Sequence, residues 1–129
     1  MVVDPSALLA IIFDEPDGPV FREAILGAPT VHLGAPSAVE LTLVALNRKG
    51  AEGETLAQGI MDVGKIEIVA FDAAQAVIAQ QAYRRYGKGR HPAGLNLGDC
   101  FSYALAKSLD EPLLFKGNDF RLTDVIPAL

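Results

Sequence analysis

Four acidic residues of the 129-residue chain stand where an α/β sheet would bring them together. Asp4 follows the first predicted strand, and Asp119 lies in the turn after the last strongly predicted one. Asp99 opens a helix, and Glu40 lies one turn into the helix that follows Pro36. Since sites in open parallel sheets form at the carboxyl ends of the strands, we expect these carboxyl groups to meet there.

Such a cluster is typical of a cation site. Neighbouring carboxylates repel each other, and each raises the pKa of the others. All-oxygen ligation is the type that Mg²⁺ or Mn²⁺ prefers. An ion of this kind activates water and shields the charge of a phosphodiester, so the predicted chemistry is hydrolysis of a phosphate ester.

Each acid also has a purely structural interpretation. Asp4 stands where a helix N-cap is expected, and Asp99 would interact favourably with a helix dipole. Asp119 has the residue type of an ordinary turn. Glu40 lies between two apolar residues, although helices carry glutamates on many faces. The local pattern leaves both interpretations open.

The elements that must position these acids alternate between short apolar strands and helices. The pattern predicts strands at 1–3, 30–33, 66–71 and 112–115, with a further one at 125–129, and helices at 7–13, 19–26, 36–47, 54–63, 73–86 and 100–109. This alternation predicts an α/β fold with a largely parallel sheet and helices on both faces. No repeat or linker divides the chain, so a single domain over 1–129 is expected.

Composition excludes several classes of protein. Half of the residues are hydrophobic, which argues against a disordered or fibrous chain. No apolar run approaches the roughly 18 residues of a membrane span, and no signal segment is recognisable at the start. The only cysteine, Cys100, cannot form an internal disulfide, and a buried thiol is expected there. A cytoplasmic location follows as an expectation.

Longer segments carry a family resemblance. They are Asp4-x-Ser6 after an apolar strand, Val39-Glu40, LNLGDCFSYALA at 95–106 and LLFKGNDFRLTD at 113–124. Together they resemble a PIN domain from residue 2 to about 126, and the last two segments resemble the VapC-type toxins of bacterial toxin–antitoxin pairs. The first motif is weak by itself, whereas the last two are specific.

The resemblance implies a PIN-like fold and a toxin that is a metal-dependent endoribonuclease. It implies that Asp4, Glu40, Asp99 and Asp119 hold Mg²⁺ or Mn²⁺ and that the ion activates water. Ser6 would assist near the first acid by hydrogen bonding. Thr123 and Asp124 match the end of the last motif, where capping or support of a ligand is expected, and Asn96 is expected to cap the helix of Asp99. The implied partners are RNA, a second copy in a homodimer and a VapB-like antitoxin.

A basic segment precedes Asp99, although the net charge of −5 argues against a nucleic-acid platform over the whole surface. The segment contains four cations, Arg84, Arg85, Lys88 and Arg90. They either form a solvated helix end or contact the RNA backbone. Tyr83 and Tyr86 either stack on bases or pack inside the protein.

Two other functions compete with the ribonuclease. The first is a catalytically inactive PIN-fold module that binds RNA or protein, against which the retention of all four acids argues. The second is a phosphate-receiving signalling domain, which would need an adjacent acidic pair after the first strand. Here a single Asp4 is followed by Pro5 and Ser6.

Overall fold

The computed structural model describes residues 1–129 and contains the predicted parallel sheet. Its four strands are β1 (Val2–Val3), β2 (His32–Gly34), β3 (Glu67–Val69) and β4 (Leu113–Leu114), in the order β3-β2-β1-β4. Every pair of neighbours is parallel, and Val2 is in register with both His32 and Leu113. The strands are shorter than the apolar runs that predicted them.

The helices occupy the predicted places. They are α1 (Pro5–Ile12), α2 (Gly18–Gly27), α3 (Ala35–Val63), α4 (Ala73–Tyr86) and α5 (Leu97–Leu109), followed by a 3-10 helix (Asp119–Leu122). None combines the length and apolar character needed to cross a membrane. The prediction of two helices over 36–47 and 54–63 agrees with the structure, because α3 consists of two helical segments that meet at a kink, where the backbone of Gly50 is not helical.

The predicted last strand at 125–129 is reduced to one bridge. The N–H of Leu113 donates to Ile126, and the N–H of Ala128 donates to Leu113, so the two segments pair around Pro127. Because β4 itself has only two residues, it offers little edge for a longer ladder.

Helices cover both faces of the sheet, as predicted. Val2 and Leu113 belong to a core cluster with α4 and α5, whereas Val3 and Leu114 belong to a second cluster with α1, α2 and α3. This division follows from the alternation of side chains along a strand. Since the strands are parallel, the segments that leave their carboxyl ends emerge at a single edge, and the site is built there.

Candidate active site

Asp4 directly follows β1 and is almost completely buried. One carboxylate oxygen accepts a hydrogen bond from the Ser102 hydroxyl at 2.5 Å, and the other accepts one from the Ser6 N–H at 2.9 Å. The bond from Ser6 makes Asp4 the N-cap of α1. Burial raises the pKa of Asp4, while the hydrogen bonds from Ser102 and Ser6 oppose that rise. The capping interpretation is therefore correct, and it leaves the carboxyl group at the carboxyl edge of the sheet.

A capping box holds Asp99 at the start of α5. The Asp99 N–H donates to Oδ1 of Asn96 at 2.9 Å, and the Asn96 N–H donates to Oδ2 of Asp99 at 3.0 Å. Asn96 is thus the predicted helix cap. Burial raises the pKa of Asp99 to about 6, with the negative charges of Asp4 and Asp119 adding to the rise and the Asn96 N–H opposing it.

Glu40 reaches the same place from α3. Its carboxylate lies against the backbone of Gly98, so closely that a Cβ atom on Gly98 would be 2.5 Å from Oε2. Burial raises the pKa of Glu40, and the negative charges of Asp4 and Asp99 raise it further. The close approach requires a residue without a side chain at position 98.

Asp119 is the first residue of the 3-10 helix and is exposed. Its negative charge contributes to the raised pKa of Asp99. The charges of Asp4 and Asp99 therefore act on Glu40, and those of Asp4 and Asp119 act on Asp99. The structure places the four acids at the same edge of the sheet, near enough for their charges to interact.

The predicted supporting residues have structural contacts. The Ser6 hydroxyl accepts a hydrogen bond from the Lys116 N–H at 3.0 Å, which joins the segment after β4 to the start of α1. The Thr123 hydroxyl donates to the Phe120 carbonyl at 2.7 Å and thereby closes the turn after the 3-10 helix. Asp124 accepts from the Tyr103 hydroxyl at 2.7 Å, which anchors the C-terminal segment to α5.

The sequence interpretation missed three residues beside the acids, Ser37, Gly98 and Ser102. Ser102 and Gly98 lie in the segment that carried the family resemblance, and Ser102 is three residues after Asp99, close to it around the helix. Ser37, three residues before Glu40, is fully buried, and its hydroxyl is the one buried side-chain polar atom without a hydrogen-bond partner. Of these three residues, only Ser102 could have been predicted from the sequence, because its spacing from Asp99 places both side chains on one side of the helix.

The donor chemistry of the four acids fits a hard divalent cation. No three His, Cys, Asp or Glu side chains converge closely enough, as they stand, to hold an ion. The donors are nevertheless all carboxylate oxygens, and Asp4, Glu40 and Asp99 all have raised pKa values. A cation among them would relieve both the burial of charge and the mutual repulsion.

The basic segment divides between two surfaces. Arg84 and Arg90 line a groove between α4 and α5, whereas Arg85 lies 3.6 Å from the Asp124 carboxylate and Lys88 is exposed in the loop after α4. The two tyrosines also differ: Tyr86 is buried against Tyr103, with ring centroids 5.9 Å apart, while Tyr83 is 42% exposed.

Cys100 is buried, as predicted. Burial raises the pKa of its thiol to about 11, and the negative charge of Asp99 contributes. A thiol with that pKa stays protonated at neutral pH, which excludes it as a nucleophile.

Comparison with known proteins gives consistent results. The PIN domain family model matches residues 1–126. A protein named ribonuclease VapC from Mycolicibacterium smegmatis is 50% identical over 125 residues, covering 97% of both chains. Ribonuclease VapC42 of Mycobacterium tuberculosis is 46% identical over 129 residues, covering 99% of this chain and 98% of the relative.

The fold also matches a solved structure. The crystal structure of Mycobacterium tuberculosis VapC20, described as a toxin that cleaves the sarcin-ricin loop, superposes with a TM-score of 0.79. The match covers 97% of this chain and 95% of that one at 14% sequence identity, so it bears on the fold alone.

Proposed function

The chain belongs to the PIN domain family, and on that premise we propose that it is the toxin of a VapC-type toxin–antitoxin pair, acting as a metal-dependent endoribonuclease. The observation that carries the proposal is the placement of carboxyl groups from separate segments at the carboxyl edge of the sheet, where Glu40 lies against Gly98 beside Asp99 and Asp4 is bound by Ser102 of the same helix. An inactive binding module would gain stability by losing these repelling groups, so their retention favours the nuclease.

The competing phosphate-receiving function is less well supported. Such a domain needs a lysine beside its acids, and the lysine nearest in sequence to Asp119 is Lys116. The Lys116 ammonium group pairs instead with the carboxylates of Glu15 and Asp17.

In the proposed mechanism Asp4, Glu40, Asp99 and Asp119 hold Mg²⁺ or Mn²⁺. When bound, the ion would lower the pKa of water and would compensate the negative charge that develops on the phosphate. The protein's part is orientation. Ser102 and the Ser6 N–H fix the Asp4 carboxylate, and the capping box uses Oδ2 of Asp99 while its Oδ1 makes no hydrogen bond within the protein.

The proposed substrate surface includes the four cations before Asp99, namely Arg84, Arg85, Lys88 and Arg90. Arg85 has an intramolecular carboxylate partner, whereas the other three form no ion pair within the chain. Their charges are therefore available to phosphates of a single-stranded or looped RNA.

A VapB-like antitoxin is the proposed protein partner. An apolar groove of about 470 Å³ runs between α1, α2 and the second half of α3, lined by residues such as Ile11, Leu26 and Leu56. An antitoxin segment seated there could extend across the helices to the acids.

We also propose a homodimer and a cytoplasmic location. Sedimentation of the toxin alone and with its co-purified partner tests the assembly, and a monomer without any partner would contradict it.

The decisive experiment removes one acid at a time. Replacing Asp99 or Asp119 with Asn is expected to lower Mn²⁺-dependent cleavage of RNA by about a hundredfold or more, because each change removes a ligand charge. EDTA is expected to abolish the wild-type activity. Asp110→Asn is the matched control, since Asp110 caps the opposite end of α5. Wild-type turnover by Asp99→Asn would reject the proposed site.

A further inference from the structure

A second concave surface opens near the edge of the sheet that carries the acids. It is a groove of about 600 Å³ between α4 and α5. One wall carries Tyr83 and Arg84 of α4, and the other carries Leu97 and Phe101 of α5, with Phe71 and Arg90 at the sides. Phe71 follows β3, so the groove opens at the same edge of the sheet as Asp4 and Glu40.

The groove is lined by aromatic and apolar faces that the fold leaves accessible. The rings of Phe71 and Phe101 meet edge to face with centroids 5.1 Å apart. Tyr83 is 42% exposed and Leu97 is 71% exposed. Flat, partly exposed rings of this kind stack on unpaired bases with little dependence on base identity.

The charge of the groove is positive. Arg84 and Arg90 line it, neither forms an ion pair within the chain, and no acidic residue is among the lining residues. The Arg90 guanidinium lies over the Tyr83 ring, with Cζ 5.7 Å from the centroid. Two cations beside a ring match the phosphate and base of a nucleotide, whereas an apolar partner would leave both arginines desolvated without a counter-charge.

The position of the groove relative to the acids completes the argument. Leu97 and Asp99 both lie in the first turn of α5, at the edge of the sheet that carries the acids, and their side chains point to different sides of the helix. An RNA strand that passes over the start of α5 would therefore reach both. We propose that this groove binds an unpaired nucleobase, with its phosphate on Arg84 and Arg90, in the part of the RNA strand next to the cleaved bond. The inference rests on the proposed ribonuclease function and adds a base-binding subsite to it, with Tyr83 as the stacking residue.

Binding in EDTA tests this subsite without cleavage. The probes are a short fluorescein-labelled single-stranded RNA of mixed sequence and the same strand made of abasic ribose phosphates. Tyr83→Leu is expected to weaken binding of the base-bearing strand about tenfold and that of the abasic strand little, because stacking needs a base. Tyr83→Phe keeps the ring and should bind both strands as the wild type does.

The arginines should act on both probes. The double variant Arg84→Gln, Arg90→Gln is expected to weaken binding of both strands and to flatten the salt dependence of the affinity, because phosphate contacts are lost. The control pair Arg48→Gln, Lys65→Gln removes the same charge. Lys65 precedes β3 and Arg48 stacks on Phe13, both away from the groove, so this pair should bind nearly as the wild type does.

Three results would overturn the subsite. The first is an equal loss of affinity for the two strands in Tyr83→Leu. The second is a loss of RNA affinity in the control pair equal to that in the arginine pair. The third is a groove variant that dissociates a dimer in sedimentation while binding RNA normally, which would identify the groove as an interface between copies. The nuclease proposal fails by a different result. If the wild type binds RNA through Tyr83 but cleaves no RNA with Mn²⁺, the proposed catalysis is rejected and the base-binding subsite is not.

Discussion

At position 98, the absence of a side chain decides where Glu40 can lie. The Glu40 carboxylate occupies the space that a Cβ would fill, at the turn of α5 that also carries Asp99. A glycine in the first turn of a helix costs stability relative to alanine, by up to about 1 kcal/mol. In return, the missing side chain of Gly98 allows the Glu40 carboxylate of α3 to lie against the backbone of α5, beside Asp99.

Gly98→Ala is therefore expected to impair the site without unfolding the protein. The new methyl group would force the Glu40 carboxylate away, so the Mn²⁺ concentration for half-maximal cleavage should rise about tenfold. Without metal, the free energy of unfolding of Gly98→Ala should equal or exceed that of the wild type, because alanine favours the helix. Gly27→Ala, at a helical glycine with no atom near its missing Cβ, is the control. An unchanged Mn²⁺ requirement in Gly98→Ala would show that Glu40 is not a ligand.

Among the elements, α3 depends most on one backbone conformation. Gly50 has φ 60° and ψ −146°, a region that side chains other than glycine hardly adopt. The kink redirects the helix so that its second half can pack near α1 and α2, where the apolar groove forms. Gly53 lies tightly against the backbone of Ala45, which keeps the two halves of the helix close.

Two glycine substitutions in α3 should have opposite effects. Gly50→Ala is expected to lower the free energy of unfolding by about 1–3 kcal/mol, because the left-handed conformation is strained for alanine. Gly59 lies in regular helix with open space around its missing Cβ. Gly59→Ala should therefore raise the free energy of unfolding by up to about 1 kcal/mol. Urea denaturation of both variants measures the difference. Equal midpoints would mean that the kink does not require glycine.

For the whole molecule, the cluster of acids predicts an unusual pH dependence without metal. The pKa of Asp99 rises from 3.8 to about 6 on folding, so the folded state binds more protons between these values. The stability contributed by this group is present below its unfolded pKa and is lost as pH rises towards about 6. Asp4 and Glu40, whose pKa values are also raised, act in the same direction.

Melting temperatures over this pH range, in EDTA and in Mn²⁺, test the prediction. The metal-free protein should melt at a lower temperature as pH rises. Mn²⁺ at a hundredfold excess over its dissociation constant should raise the free energy of unfolding by about 2.7 kcal/mol. Asp99→Asn should melt higher than the wild type in EDTA above pH 6 and gain less from Mn²⁺. Asp110→Asn should follow the wild type. An equal Mn²⁺ shift in Asp99→Asn and the wild type would show that the acids do not share an ion.

Local information was enough for the elements and for the acids as candidates. Helical periodicity and the Asp-Pro, Asp72 and Asn96 signals predicted where helices begin, because capping involves residues at most a few positions apart. Parallel strands then placed Asp4, Asp119 and the segment of Glu40 at one edge by topology alone. The polar turn ending in Gly50 also predicted the break within α3, because glycine readily adopts the non-helical conformation that separates its two halves.

The tertiary structure alone decided which groups touch. The Ser102 hydroxyl reaches Asp4 across 98 positions, and Glu40 reaches Gly98 from another helix. It also separated neighbours that look alike in sequence, turning Arg84 to the groove and Arg85 to Asp124, and burying Tyr86 while exposing Tyr83. Neighbouring residues on a helix point about 100° apart. Which of them meets solvent, a core or a carboxylate depends on the elements packed around the helix, and no local pattern contains that information.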